Sequence, residues 1–122
     1  MKQERVVILG ASDKPDRYAH KAQKLLQQHG HEVIPVHPKL AEIDGVPVLP
    51  DLKAVTGPVD TLTLYVNPQI SSAAAADIIS LKPTRVIFNP GTENAELQGQ
   101  LSAANIAWEE ACTLVLLNTG QY

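Results

Sequence analysis

Residues 5–12, Arg5-Val6-Val7-Ile8-Leu9-Gly10-Ala11-Ser12, decide the fold. Four apolar residues follow one another without the polar alternation of a half-exposed strand, so this strand is buried on both faces. That is the habit of a parallel sheet covered by helices. Gly10 ends the run in a turn, and a different period begins soon after it. Across residues 17–29, Tyr18, Ala22, Leu25 and Leu26 recur at i, i+4, i+7 and i+8, which is one face of a helix. Gly30 stands where a helix stops, and residues 32–36 read as a second strand.

The same alternation continues outward. Residues 61–66 (TLTLYV) form a third strand, and Ser71 or Ser72 caps an alanine-rich helix reaching about Leu81. Residues 85–88 make a fourth strand, Thr92 caps a helix to about Ala104, and residues 106–108 make a short fifth strand. Residues 112–117 fit either a helix or a strand on periodicity, and a terminal helix is the expectation. Between the second and third strands, residues 42–48 give a turn and a short extended piece, and residues 51–55 one or two helical turns. The expected fold is α/β: a Rossmann-like three-layer sandwich with a mostly parallel central sheet of about five strands. One domain spanning residues 1–122 is expected. Ligands of such sheets bind beyond the carboxyl ends of the strands, where the strand order reverses.

Bulk composition bounds the function. With 122 residues, 44% hydrophobic and 19% charged, the chain suits one globular core. No apolar run approaches a membrane span, and Met1-Lys2-Gln3-Glu4-Arg5 leads into the first strand without a secretory segment. The single cysteine, Cys112, fits a reducing compartment, so the cytoplasm is expected. A net charge of −3 argues against nucleic acid as a partner. The charge is unevenly spread, however. Residues 1–40 hold seven of the ten Lys/Arg and four of the thirteen Asp/Glu, a balance of +3 against −6 for the remainder. A basic first third on an acidic chain points to a local anion site; ordinary sampling of surface charge is the plainer alternative.

Three presumed strands end alike: His37-Pro38, Asn67-Pro68 and Asn89-Pro90. Proline lacks the N–H needed to continue a ladder, so each strand stops at the edge where ligands bind. The turn Gly10-Ala11-Ser12 has one glycine and is no dinucleotide fingerprint, although a glycine there lets the backbone approach a phosphate. Arg17, His20 and Lys21 place cations at the positive end of the first helix, an unfavourable position by roughly 0.3–1 kcal/mol each unless an anion docks there. The competing reading makes Arg17, Lys21 and Lys24 a solvated stripe. At the end of the second strand, where a nicotinamide-dinucleotide domain carries an acid for the ribose diol, this chain has His37-Pro38-Lys39. Lysine there suits a ribose bearing a phosphate, as in coenzyme A or NADP, and disfavours NAD.

Taken together, these stretches resemble the CoA-binding domain at the N-terminus of the succinyl-CoA synthetase α subunit, and most closely the small bacterial proteins consisting of that domain alone. The matching residues are Val7-Ile8-Leu9-Gly10-Ala11-Ser12, Arg17-Tyr18-Ala19-His20-Lys21 and Val33-Ile34-Pro35-Val36-His37-Pro38-Lys39. Residues 42–48, Tyr65-Val66-Asn67-Pro68, Phe88-Asn89-Pro90-Gly91-Thr92-Glu93-Asn94 and residues 110–115 extend the match over nearly the whole chain. The resemblance implies that Gly10, Ala11, Ser12 and the helix end with Arg17, Tyr18 and Lys21 hold a pyrophosphate. It implies that His37, Pro38 and Lys39 lie near the adenosine and its 3′-phosphate. Val66, Asn67 and Pro68, with Asn89, Pro90 and Gly91, would flank the adenine or the pantetheine arm. His37 departs from the asparagine usual in that family. The synthetases need a phosphorylated histidine from a following domain and a nucleotide-grasping partner subunit, so none of His20, His29, His31 or His37 is expected to take that role.

His29, His31 and Cys112 lack the spacing of a metal site. Cys112 is a small hydrophobe or, near a helix start, a thiol open to exchange with CoA. The expectation is a non-catalytic module that binds coenzyme A or an acyl-CoA as a carrier, sensor or regulatory subunit, with no membrane or nucleic-acid partner. An NADP-dependent oxidoreductase or a fragment of one is the alternative. A protein-interaction module with a degenerate nucleotide site is the third reading.

Overall fold

The computed structural model describes residues 3–122; Met1 and Lys2, part of the basic first third, lie outside the described residues. The chain runs β1 (Arg5–Leu9), α1 (Tyr18–Gln28), β2 (Glu32–Val36), then a small hairpin of β3 (Glu42–Ile43) and β4 (Val46–Pro47). A 3-10 turn (Leu52–Ala54) precedes β5 (Thr61–Leu64), α2 (Pro68–Ala73) and α3 (Ala75–Leu81). β6 (Arg85–Phe88), α4 (Ala95–Ala103), β7 (Ala107–Glu110) and α5 (Thr113–Asn118) complete it.

Five strands form one parallel sheet in the order β2-β1-β5-β6-β7. Leu49 adds a single parallel bridge to Val36, a rudimentary strand outside β2. The chain therefore builds outward from β1 in one direction, then crosses back and builds in the other. The crevice between the ends of β1 and β5 is the switch point. The sheet and its flanking helices are the Rossmann-like α/β sandwich expected from the sequence.

The unbroken apolar run of β1 works as its composition requires. Val7 and Leu9 join Leu62, Leu64, Val86 and Phe88 on one face, under Leu52, Ile78, Leu97 and Leu101 from the 3-10 turn, α3 and α4. Val6 and Ile8 face the other way, under Leu26, Ile43 and Leu117 from α1, the hairpin and α5. Burying each such side chain stabilises the fold by about 1.5–3 kcal/mol relative to exposure.

Four local expectations are corrected. Tyr18 does not lie in the apolar face of α1; it is 68% exposed, while Ala19, Ala22 and Leu26 face the core with His20 and Gln23. The helix after β5 starts earlier than Ser71: Asn67 caps it by accepting from the Ile70 N–H at 2.9 Å, and Pro68 fills the first helical position. Asparagine followed by proline is the stronger start signal, and Ser71 is buried. It also breaks at Ala74 into α2 and α3. Thr92 does not cap α4. Asn94 does, through the Leu97 N–H at 3.1 Å, while the Thr92 hydroxyl donates to the Asn89 carbonyl at 2.8 Å.

Candidate functional site

A cavity of about 880 Å³ opens at the carboxyl ends of β1, β2 and β5, the switch point of the sheet. Its size lies within the roughly 300–1,000 Å³ of small-molecule sites. Gly10, Ala11, Ser12, Arg17, Tyr18, His37, Pro38, Lys39 and Val66 all line it.

The floor is built by close backbone packing. Gly10 has φ +91°, and a Cβ there would stand 2.7 Å from Val66 Cγ1 and 2.8 Å from the Tyr65 carbonyl oxygen. Only glycine fits that approach. The N–H groups of Gly10 and Ala11 both donate to the Val36 carbonyl at 3.2 Å, tying the turn to β2. Next, the Lys14 N–H donates to Ser12 Oγ at 3.1 Å, and the Arg17 N–H to the Lys14 carbonyl at 3.0 Å. α1 then begins at extended Arg17 with no capping side chain and no acid in its first turn. Its free N–H groups and the positive end of its dipole remain available to an anion.

The opposite rim is set by the chain after β2. His37 Nδ1 accepts the Lys39 N–H at 3.0 Å and shapes the bend that carries Lys39. Further along, the hairpin is clasped to α1. His20 Nε2 lies 2.7 Å and Lys24 Nζ 3.1 Å from Asp44 Oδ2, and Gln23 Nε2 donates to the Ile43 carbonyl at 3.1 Å. Lys24, then His20, hold the Asp44 carboxyl below its ordinary value. Both sides of the basic wall are thereby fixed to one helix.

Lys14, Arg17 and Lys39 have no ion-pair partner among the described residues, as is also true of Lys21, Lys53 and Lys82, while Arg5, Lys24 and Arg85 are paired. Three cations and one acid, Asp13, thus stand together on this side of the cavity, a local positive balance. Tyr65, also in the wall, has its hydroxyl pushed up to about 12 by burial and stays neutral.

The remaining expected residues stand elsewhere. Lys21 places its ammonium 5.4 Å from the Tyr18 ring centroid. Asn67 and Pro68 start α2 beside the cavity without lining it. Asn89 is buried and turned inward. Its Nδ2 donates to Thr63 Oγ1 at 2.7 Å and the Leu64 carbonyl at 2.8 Å, and its Oδ1 accepts the Thr113 N–H at 2.9 Å. Pro90 and Gly91 are exposed on the same edge of the sheet.

The wall residues that sequence reasoning missed include Asp13, Lys14, Asp51, Ile70 and Asp77. The short extended piece ending at Leu49 was the available signal for Asp51, because a strand beside β2 delivers the next residues to this edge. Nothing in the local pattern marked Asp77.

Against known proteins, the family model for the CoA binding domain matches residues 4–118. An uncharacterized protein of Bacillus subtilis, YneT, is 39% identical over 62 residues, a stretch covering 51% of this chain and 46% of that relative. The match thus spans about half the length of the curated relative. A crystal structure of an uncharacterized protein is 45% identical over the full length of both chains, with a TM-score of 0.94. The dinucleotide-forming acetyl-coenzyme A synthetase 1 of Candidatus Korarchaeum cryptofilum shares the fold alone. It has 18% identity and a TM-score of 0.72 over 86% of this chain and 25% of its own.

Proposed function

The chain belongs to the CoA-binding domain family, and on that premise we propose that it holds coenzyme A or an acyl-CoA in the cavity at the β1/β5 switch point. The observation that carries this reading is the meeting of three unpaired cations with a glycine turn and an uncapped helix start at one cavity. Gly10, Ala11 and Ser12 would let the pyrophosphate approach the backbone, with Lys14 and Arg17 neutralising it. Lys39 would take the 3′-phosphate of the adenosine, beside Pro38 and His37. Val66 would border the nucleotide, with Asn67 and Pro68 behind it. The pantetheine arm would leave along the edge carrying Asn89, Pro90 and Gly91. Lys21 supports Tyr18 at the rim.

The role is that of a binding, carrier or regulatory module in a single domain. Each imidazole has a local structural partner: His20 on Asp44, His29 on the Leu25 carbonyl, His31 on the Glu4 N–H and His37 on the Lys39 N–H. That engagement supports a binding role over histidine phosphorylation. No helix among the described residues is long and apolar enough to cross a membrane. With one cysteine in the chain, we place the protein in the cytoplasm.

A thermal-shift titration with CoA, acetyl-CoA, 3′-dephospho-CoA, NADP and NAD tests the reading. A ligand at a hundredfold excess over Kd adds about 2.7 kcal/mol to stability. CoA should stabilise, 3′-dephospho-CoA less, and NAD not at all. Stabilisation by NADP alone would instead favour an oxidoreductase, and silence with every ligand would favour a protein-interaction module.

A further inference from the structure

The cavity has two unlike walls. Lys14, Arg17 and Lys39 stand on one, around the Gly10 turn and the start of α1, and outnumber the one acid there, Asp13. The other, from α2, α3 and the chain after Leu49, is apolar through Leu52, Ile70 and Ala74, and its charges are both acidic: Asp51 and Asp77. Asp51 is engaged locally, its Oδ1 accepting the Ala54 N–H at 3.1 Å. Asp77 is half-buried, stands between this cavity and a smaller one bordered by Lys53 and Ser80, and has neither a hydrogen bond nor an ion pair among the described residues.

A partly desolvated carboxylate without a donor is unfavourable, and it repels phosphate. The acidic wall is therefore the wrong place for the charged part of a nucleotide. It is the right place for a flat apolar ring that carries N–H donors at its edge. The geometry points to Asp77 as the group that reads the exocyclic amine of the adenine ring, with Leu52, Ile70 and Ala74 enclosing the ring. This rests on the CoA reading of the cavity and adds base selectivity to it. A 6-oxopurine presents a carbonyl oxygen where adenine presents its amine, and Asp77 then faces an acceptor. Sites built around a hydrogen bond reject an analogue that leaves their polar group unpaired.

The test is calorimetric titration of the full chain with CoA, adenosine 3′,5′-bisphosphate and inosine 3′,5′-bisphosphate. The adenosine form should bind at least about tenfold more tightly than the inosine form. In Asp77→Ala that preference should vanish, with the inosine form binding as well as before or better. Asp77→Asn, whose amide both donates and accepts, should also level the two. A merely electrostatic role would shift both bisphosphates together and leave their ratio unchanged, which overturns the proposal. CoA binding with equal affinity for the two bisphosphates in the unsubstituted chain overturns it while leaving the CoA reading intact. No CoA binding overturns both.

Discussion

The half of the sheet edge formed by β2, β1 and β5 and the half formed by β6 and β7 end in nearly the same sequence. One closes on His37-Pro38, the other on Asn89-Pro90. In the first half, the residues after the proline step reach outward and line a cavity. In the second, the Asn89 amide turns inward and joins β5, β6 and α5 through Thr63, Leu64 and Thr113. Strand-ending residues alone do not open a cavity. The reversal of strand order opens a crevice between β1 and β5, whereas the ends of adjacent β6 and β5 are bridged by a buried polar tie.

This contrast can be broken most severely at Asn89. Replacing it with Leu leaves the Leu64 carbonyl and the Thr113 N–H unpaired in the interior, at about 1–3 kcal/mol each. Thermal unfolding of Asn89→Leu should fall by about 10 °C. An unchanged midpoint would remove the structural role of that end.

Gly10→Ala strikes the cavity half instead. The added methyl meets Val66 and Tyr65 in a backbone conformation that disfavours it. A loss of about 2 kcal/mol in urea unfolding is expected, together with weaker CoA binding. Full stability in this variant would contradict the close packing of the turn.

Charge reversal sharpens the comparison without touching the core. Arg17 and Lys39 are exposed, so Arg17→Glu and Lys39→Glu should unfold at the temperature of the parent chain while CoA affinity drops about tenfold or more. Equal affinity in both variants would put the anion site elsewhere.

The smallest effect concerns pH. Burial lowers the pKa of His31, whose Nδ1 accepts the Glu4 N–H at 2.9 Å and would lose that bond on protonation. The unfolded chain then binds more protons, so stability is present above the ordinary histidine value of 6.5 and is lost as pH falls below it. Urea midpoints between pH 7.5 and 5 should decline, and His31→Leu should flatten the slope. A parallel decline in both proteins would assign it to another group.

Much of the fold was legible because the β1 run and its successors declare a doubly covered parallel sheet through hydrophobicity alone. Of the cations at the cavity, Arg17 was read from the helix start and Lys39 from the end of the second strand, whereas Lys14 was missed, and His20 and Lys21 of the same helix start stand outside the cavity. Two kinds of feature were not legible. The inward turn of Asn89 depends on Thr63 and Thr113, which are 26 and 24 residues away and carry no local mark. Tyr18 misled because it falls on the helical period, yet it sits at the first helical residue, where the chain has not yet reached the core.

The most direct measurement is backbone amide NMR of the protein titrated with CoA. The largest shifts are expected at residues 10–18, 37–39 and 65–70, with β7 and the body of α5 little changed. Shifts centred on β7 and α5, or none anywhere, would contradict it.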